Sequence, residues 1–291
     1  MKAKSRTAIF YAILAAILYS VSSPVSKILL EKIPPTMLAA FLYLGAGLGL
    51  SVVGLLQKRT NKEKTELPLT KKDLPYTIGM IVLDIAAPIF LMIGLTKTSA
   101  ANVALLNNFE IVATAIIALA LFKESISKRL WFAISLVTIS SMMISIENIS
   151  GFSFSIGSLF VLLACVCWGF ENNYTRMLSA KNPLHIVVIK GLCSGAGSLL
   201  IAILLGETVS DIVYMLIALC LGFVSYGLSI LFYIYSQRDL GAAKTSTYYA
   251  FAPFIGVLIS LLIFNEIPTL LFIIAFLIMI LGAYFASTDC T

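Results

Sequence analysis

TSAANVALLNNFEIVATAIIALALFKE, residues 98–124, and LGAAKTSTYYAFAPFIGVLISLLIFNE, residues 240–266, decide how this chain is built. Laid over each other without a gap, at an offset of 142 positions, they place Ala100-Ala101 on Ala242-Ala243, Phe109 on Phe251, Phe122 on Phe264 and Glu124 on Glu266. The match continues outside them. At an offset of 149, Tyr19 falls on Trp168, Lys27 on Arg176 and Pro34 on Pro183, and at an offset of 150 Gly45-Ala46-Gly47 corresponds to Gly195-Ala196-Gly197. One unit is written twice, which divides the chain into 1–148 and 152–291. The offset falls because the first copy has the longer loop, Gln57 to Leu74.

Each copy is too apolar for water. The 291 residues are 60% hydrophobic and 12% charged, with a mean hydropathy of +1.01. A water-soluble chain carries about 45–50% apolar and about 25% charged residues. Ten segments reach or approach the roughly 20 apolar residues a helix needs to cross the hydrocarbon core: 8–30, 36–56, 75–95, 99–121, 130–147, 155–178, 184–205, 211–235, 241–264 and 268–286. Open sheet edges are excluded in lipid because unpaired backbone groups cost several kcal/mol there. The expected fold is therefore all-α. The Lys2-Lys4-Arg6 start runs into a first segment with no convincing cleavage site, so a retained helix is expected rather than a signal peptide.

With the N-terminus cytoplasmic and the segments alternating, 15 of the 20 basic residues fall on the inner side. Only Lys32 and Lys97 lie outside, a strong orientation signal. Both termini are expected in the cytoplasm, of a bacterial or archaeal inner (plasma) membrane. Five segments per copy is an odd number, so the second copy enters from the opposite side and the repeats are inverted. Two closures of similar energy follow, one open to each face, which is the basis of alternating access. Gly45-Ala46-Gly47-Leu48-Gly49 and Gly191 to Gly197 suit close helix approach within the bundle. A homodimer stays open as an alternative use.

Phe122-Lys123-Glu124 and Phe264-Asn265-Glu266, with Trp168-Gly169 and Arg176 in the sixth segment, resemble the drug/metabolite transporter superfamily, in its EamA-type ten-helix branch. The likeness covers the whole chain. Tyr19-Ser20 departs from the Trp-Gly common in first segments there, and Glu171-Asn172-Asn173 is unusually polar. The resemblance implies a central cavity lined by segments one, three, four, six, eight and nine, and export or exchange of amino acids, other metabolites or drugs. It does not name the solute.

Ionisable groups near midspan mark function by default, since each costs about 2.5–3.5 kcal/mol at the bilayer centre. Asp84, Glu110 and Glu171 sit there, Glu110 most centrally. Helical spacing joins Asn107, Glu110 and Thr114 in one stripe, and groups Trp168, Glu171, Tyr174 and Thr175, beside Asn172, in another. Pro88, four residues after Asp84, is expected to loosen its helix. Lys190 and Lys244 lie near enough to the cytoplasmic face to snorkel, which leaves the midplane acid-rich. The acids, with Tyr19, Trp168, Tyr226, Tyr248 and Tyr249 as aromatic walls, suit a cationic or zwitterionic solute, a coupling proton, or both. The competing reading has the acids bonded to Asn107, Asn108, Asn172 or Asn173, or paired with Lys27 and Arg176, and only holding helices together. Lys27, Arg176, Glu124 and Glu266 are expected as gate or structural contacts.

The expected function is secondary transport of a small organic solute across the lipid bilayer, driven by protons or counter-substrate. A facilitating uniporter or channel is the alternative, and an intramembrane enzyme on a lipid-linked substrate is a more distant one. No hydrolase or metal motif is present. Gly241 to Thr245 lacks the glycine that a phosphate loop needs before its lysine. The charges behind the net +6 cluster in the short segments between apolar runs, so they do not point to nucleic acid. Cys165, Cys167, Cys193, Cys220 and Cys290 form no paired pattern. No cofactor and no metal are expected.

Overall fold

The computed structural model describes residues 2–58, 69–123, 127–148, 153–178, 181–240, 249 and 251–287. Among these the protein is helical apart from one short hairpin. Segment one is α1 (Lys2–Ser20) and α2 (Ser22–Leu29), and segment two is α3 (Pro35–Lys58). Segment three is α4 (Leu74–Lys97), and segment four is α5 (Ala100–Leu106) with α6 (Phe109–Phe122). Segment five is α7 (Lys128–Ser145), followed by the antiparallel strands β1 (Ile146–Asn148) and β2 (Ser153–Phe154). The second half continues with α8 (Ile156–Leu178) and α9 (Pro183–Leu204). Segment eight is α10 (Ile212–Gly222), a widened π-turn over Phe223–Leu228, and α11 (Ser229–Leu240). α12 (Ala252–Phe264) and α13 (Leu270–Ser287) end the described chain.

Seven helical stretches among the described residues are long and apolar enough to cross a membrane, and α12 and α13 are shorter apolar helices. The surface is built for lipid: Leu48, Val52, Leu204, Leu262 and Ile267 are among the large side chains left exposed. Polarity is turned inward instead, with Asp84, Glu171, Lys190, Asn107 and Asn108 buried. Multi-pass insertion follows from that inversion.

Segments of the first half pack on segments of the second: two on seven, three on six, one on eight, four on nine and five on ten. Two also meets eight while seven meets three. Exchanging the halves leaves this set of partners unchanged. The glycine stripes serve these contacts inside the chain. A Cβ on Gly47 would stand 2.6 Å from the Leu192 backbone nitrogen, and one on Gly191 would stand 2.6 Å from the Gly47 Cα. α3 and α9 therefore touch backbone to backbone.

Three segments are not the single helices that their hydrophobicity suggests. Segment one breaks at Val21, since Pro24 has no N–H to offer the Ser20 carbonyl. Segment four breaks at Asn107-Asn108. There the Leu105 carbonyl takes both the Asn108 backbone N–H (3.2 Å) and its side-chain amide (3.3 Å), a local bond that competes with the helix. Segment eight widens at Phe223–Leu228. By contrast α4 runs unbroken through Pro88, so the expected loosening near Asp84 does not interrupt that helix. The turns after segments four and nine match in conformation as well as sequence: Lys123 (φ 54°) and Asn265 (φ 50°) both cap their helices in the left-handed region.

Candidate functional site

The break in segment four creates a helix start inside the bundle, and Glu110 is the second residue of α6. A carboxylate is favoured at that position by the dipole of the first turn, although the Glu110 and Ile111 N–H groups are already taken by the Asn107 and Asn108 carbonyls at 3.2 and 3.1 Å. The Asn172 amide donates to Glu110 Oε1 at 2.6 Å and to Thr114 Oγ1 at 3.2 Å. Glu110 and Thr114 therefore face α8, whereas Asn107 sits at the break before α6. No basic side chain among the described residues pairs with Glu110. It lies within electrostatic reach of Tyr19, Tyr226 and Tyr249, and also of Glu171 and Lys190. Glu110, Asn172, Tyr19 and Tyr249 keep part of their surface. Asn107 and Asn108 are buried, each with a side-chain oxygen that has no donor.

The tyrosines come from four segments, one, two, eight and nine, and meet near the breaks in segments one and eight. Tyr19 stands 6.0 Å from Tyr226 and 5.9 Å from Tyr249, centroid to centroid, and Tyr226 stands 5.4 Å from Tyr43. Ser22, just past the first break, donates to the Tyr226 hydroxyl at 3.3 Å. Trp168 is buried and its indole N–H reaches the Tyr43 hydroxyl at 3.5 Å.

Asp84 and Glu171 form a separate group. Lys190 Nζ lies 3.2 Å from Asp84 Oδ2 and 3.0 Å from Glu171 Oε1. Tyr43 donates to Asp84 Oδ1 at 2.9 Å, and Thr175 donates to Glu171 Oε1. Asp84 is 0% exposed, Glu171 2% and Lys190 8%. This corrects two expectations. Lys190 does not snorkel, because two carboxylates on α4 and α8 hold its ammonium inside. The acids are also not matched by Lys27 and Arg176. Lys27 donates to the Leu95 and Thr98 carbonyls at 2.5 and 2.8 Å, closing the C-terminus of α4. Arg176 is exposed in the last turn of α8.

Glu266 is partly buried and lines a pocket of about 300 Å³ with Thr98, Ser99, Asn102, Ser155 and Thr269, at the end of the bundle where Lys27 sits. The pocket does not reach Glu110, Glu171 or Asp84. Glu124, Tyr248 and Lys244 lie outside the described residues, as does the opening of the ninth segment. Lys190's role and Tyr43 were missed in the sequence. The signal was depth: Lys190 is seven residues into α9, about 10 Å at 1.5 Å per residue, far for an ammonium bound for the surface.

Among known proteins, the EamA-like transporter family matches the chain twice, over residues 6–146 and 155–288. An uncharacterized transporter of Methanothermobacter thermautotrophicus is 23% identical, over 94% of this chain and 83% of its own length. The uncharacterized transporter YyaM of Bacillus subtilis is 26% identical, over 75% of this chain and 74% of its own. A solved crystal structure shares the fold with a TM-score of 0.69 at 19% identity, covering 96% of this chain and 95% of that one.

Proposed function

Since the chain belongs to the EamA-like transporter family, we propose that it is a secondary transporter that binds a small cationic or zwitterionic organic solute at Glu110 and moves it by alternating access. The observation that carries this reading is Glu110 itself: a carboxylate in the middle of a membrane bundle, at an internal helix start, with tyrosines around it and Lys190 within electrostatic reach but ion-paired to Asp84 and Glu171 instead. A solute ammonium supplies the missing charge. Asn172 and Thr114 orient the carboxylate, Asn107 and Asn108 offer acceptors, and Tyr19, Tyr226 and Tyr249 give the cation aromatic faces. Trp168 belongs to the same wall in this reading. Asp84 and Glu171, already held by Lys190, shape the site more than they bind.

The architecture we infer is ten membrane helices in two inverted five-helix repeats, 1–148 and 152–291. The exchange-invariant packing and the paired left-handed caps support it. The protein sits in the cell membrane with both termini cytoplasmic, and export or exchange is driven by protons or counter-substrate. Breaks in segments one, four and eight give the moving parts.

A thermal-shift screen of purified protein against amines, amino acids, nucleosides and sugar phosphates, repeated at several pH values, tests the solute class. Amines or amino acids raise the melting temperature of wild type but not of Glu110→Gln. Stabilisation by sugar phosphates alone would reject a cationic solute.

A further inference from the structure

A bundle with a twofold repeat presents the same seam at each end, and here the two copies are closed by different chemistry. Segment three meets six, and segment eight meets one. At the offsets that align those segments, 142 and 149, Asp84 corresponds to Tyr226 and Glu171 to Ser22. The first pair is bridged by Lys190 at 3.2 and 3.0 Å. The second is a neutral contact, Ser22 Oγ to Tyr226 OH at 3.3 Å, and a further side-chain hydrogen bond between these segments, Ser229 Oγ to the Ala15 carbonyl at 2.9 Å, is neutral too. Lys190's counterpart in segment two, at the offset that aligns the glycine stripes, is the apolar Ala40. Depth matches as well. Glu171 is seven residues before the end of α8 at Leu178, and Ser22 is seven before the end of α2 at Leu29. The charged bridge leans toward the end tied by Lys181 to Asp73 at 3.0 Å, and the hydroxyl contact toward the end capped by Lys27.

We infer that these are the two gates of the carrier, and that Lys190 makes them unequal. It is the positioning residue that latches the Asp73–Lys181 end shut, while at the Lys27 end the seam between segments one and eight is closed by a hydroxyl contact that water can replace. Parting the charged bridge strands three buried charges, whereas water replaces a hydroxyl partner as soon as a seam opens. Glu171 also lies within electrostatic reach of Glu110. A cation on Glu110 therefore stands in for the lysine as Glu171 loses it, and the latched end opens most readily when loaded. The inference rests on the alternating-access reading above.

Spin-label distance measurements in lipid nanodiscs test it, in a chain with its cysteines replaced. One label pair, at Leu74 and Met177, spans the charged seam, and another, at Ile28 and Val213, spans the neutral one; all four positions are exposed. The unsubstituted seams should give one short distance for the first pair and two populations for the second. Lys190→Met should raise the open population of the first pair about tenfold or more, and Lys190→Arg should keep it closed. Ser22→Ala should change the second pair by less than about threefold. If Lys190→Met does not fold, the neutral triple variant Asp84→Asn, Glu171→Gln, Lys190→Met should show the same opening. A closed first pair in the folded variants, or a Ser22→Ala effect equal to that of Lys190, overturns the inequality and leaves alternating access standing. Both pairs fixed in every variant and with every amine would remove alternating access and this inference together.

Discussion

Glu110 and Glu171 were equivalent on helical spacing, and the structure separates them. Glu110 has an amide and tyrosines around it, while Glu171 shares an ammonium with Asp84. The difference is tertiary, since it depends on which face α9 turns toward α4 and α8. Spacing along one chain carries no such information, which is why the third partner stayed unread even though its depth was visible. The consequence for stability is direct. Removing the ammonium alone leaves two carboxylates buried without it, so Lys190→Met should cost about 3–5 kcal/mol. The triple neutral variant should come within about 2 kcal/mol of wild type, because replacing a whole buried ion group with neutral residues is often nearly free. Thermal melts in detergent of the two variants beside wild type check this; equal melting of Lys190→Met and wild type would show that the bridge carries no net stability.

At the scale of elements, the segment limits that fall on described residues were legible to within about six residues because apolar runs and turn residues mark them. Internal breaks were less so. A run such as Ala100 to Phe122 is hydrophobic throughout, and hydrophobicity does not register that Asn107 and Asn108 bond locally. The repeated Phe-x-Glu turn shares its middle-residue conformation between the two halves, while Glu124 lies outside the described residues. Its physical content lies in the middle residue, Lys123 or Asn265, which adopts a left-handed conformation that glycine takes without a Cβ penalty. Lys123→Gly and Asn265→Gly should therefore raise stability by up to about 1 kcal/mol each, and valine at either site should lower it by about 1–2 kcal/mol. A melting series of the four variants reads the sign; valine variants as stable as the glycine ones would mean the turns relax out of that conformation.

The whole molecule was most legible where physics is least local. Composition alone put the chain in lipid, and the duplicated pattern gave two like halves, which the two family matches and the exchange-invariant packing of segments join. Which cavity a solute enters was not written in the same way, and the pocket near Glu266 was not anticipated from the turn that forms it. The account comes down to one carboxylate in a bundle that opens to either side. Counterflow of a radiolabelled amine, selected by thermal shift, into proteoliposomes preloaded with the same unlabelled amine tests that most directly. Wild type should accumulate label, and Glu110→Gln, monodisperse and melting at or above the wild-type temperature, should show uptake at least about 100-fold slower, the loss of one charged contact to the solute. Accumulation by Glu110→Gln at the wild-type rate would contradict the account.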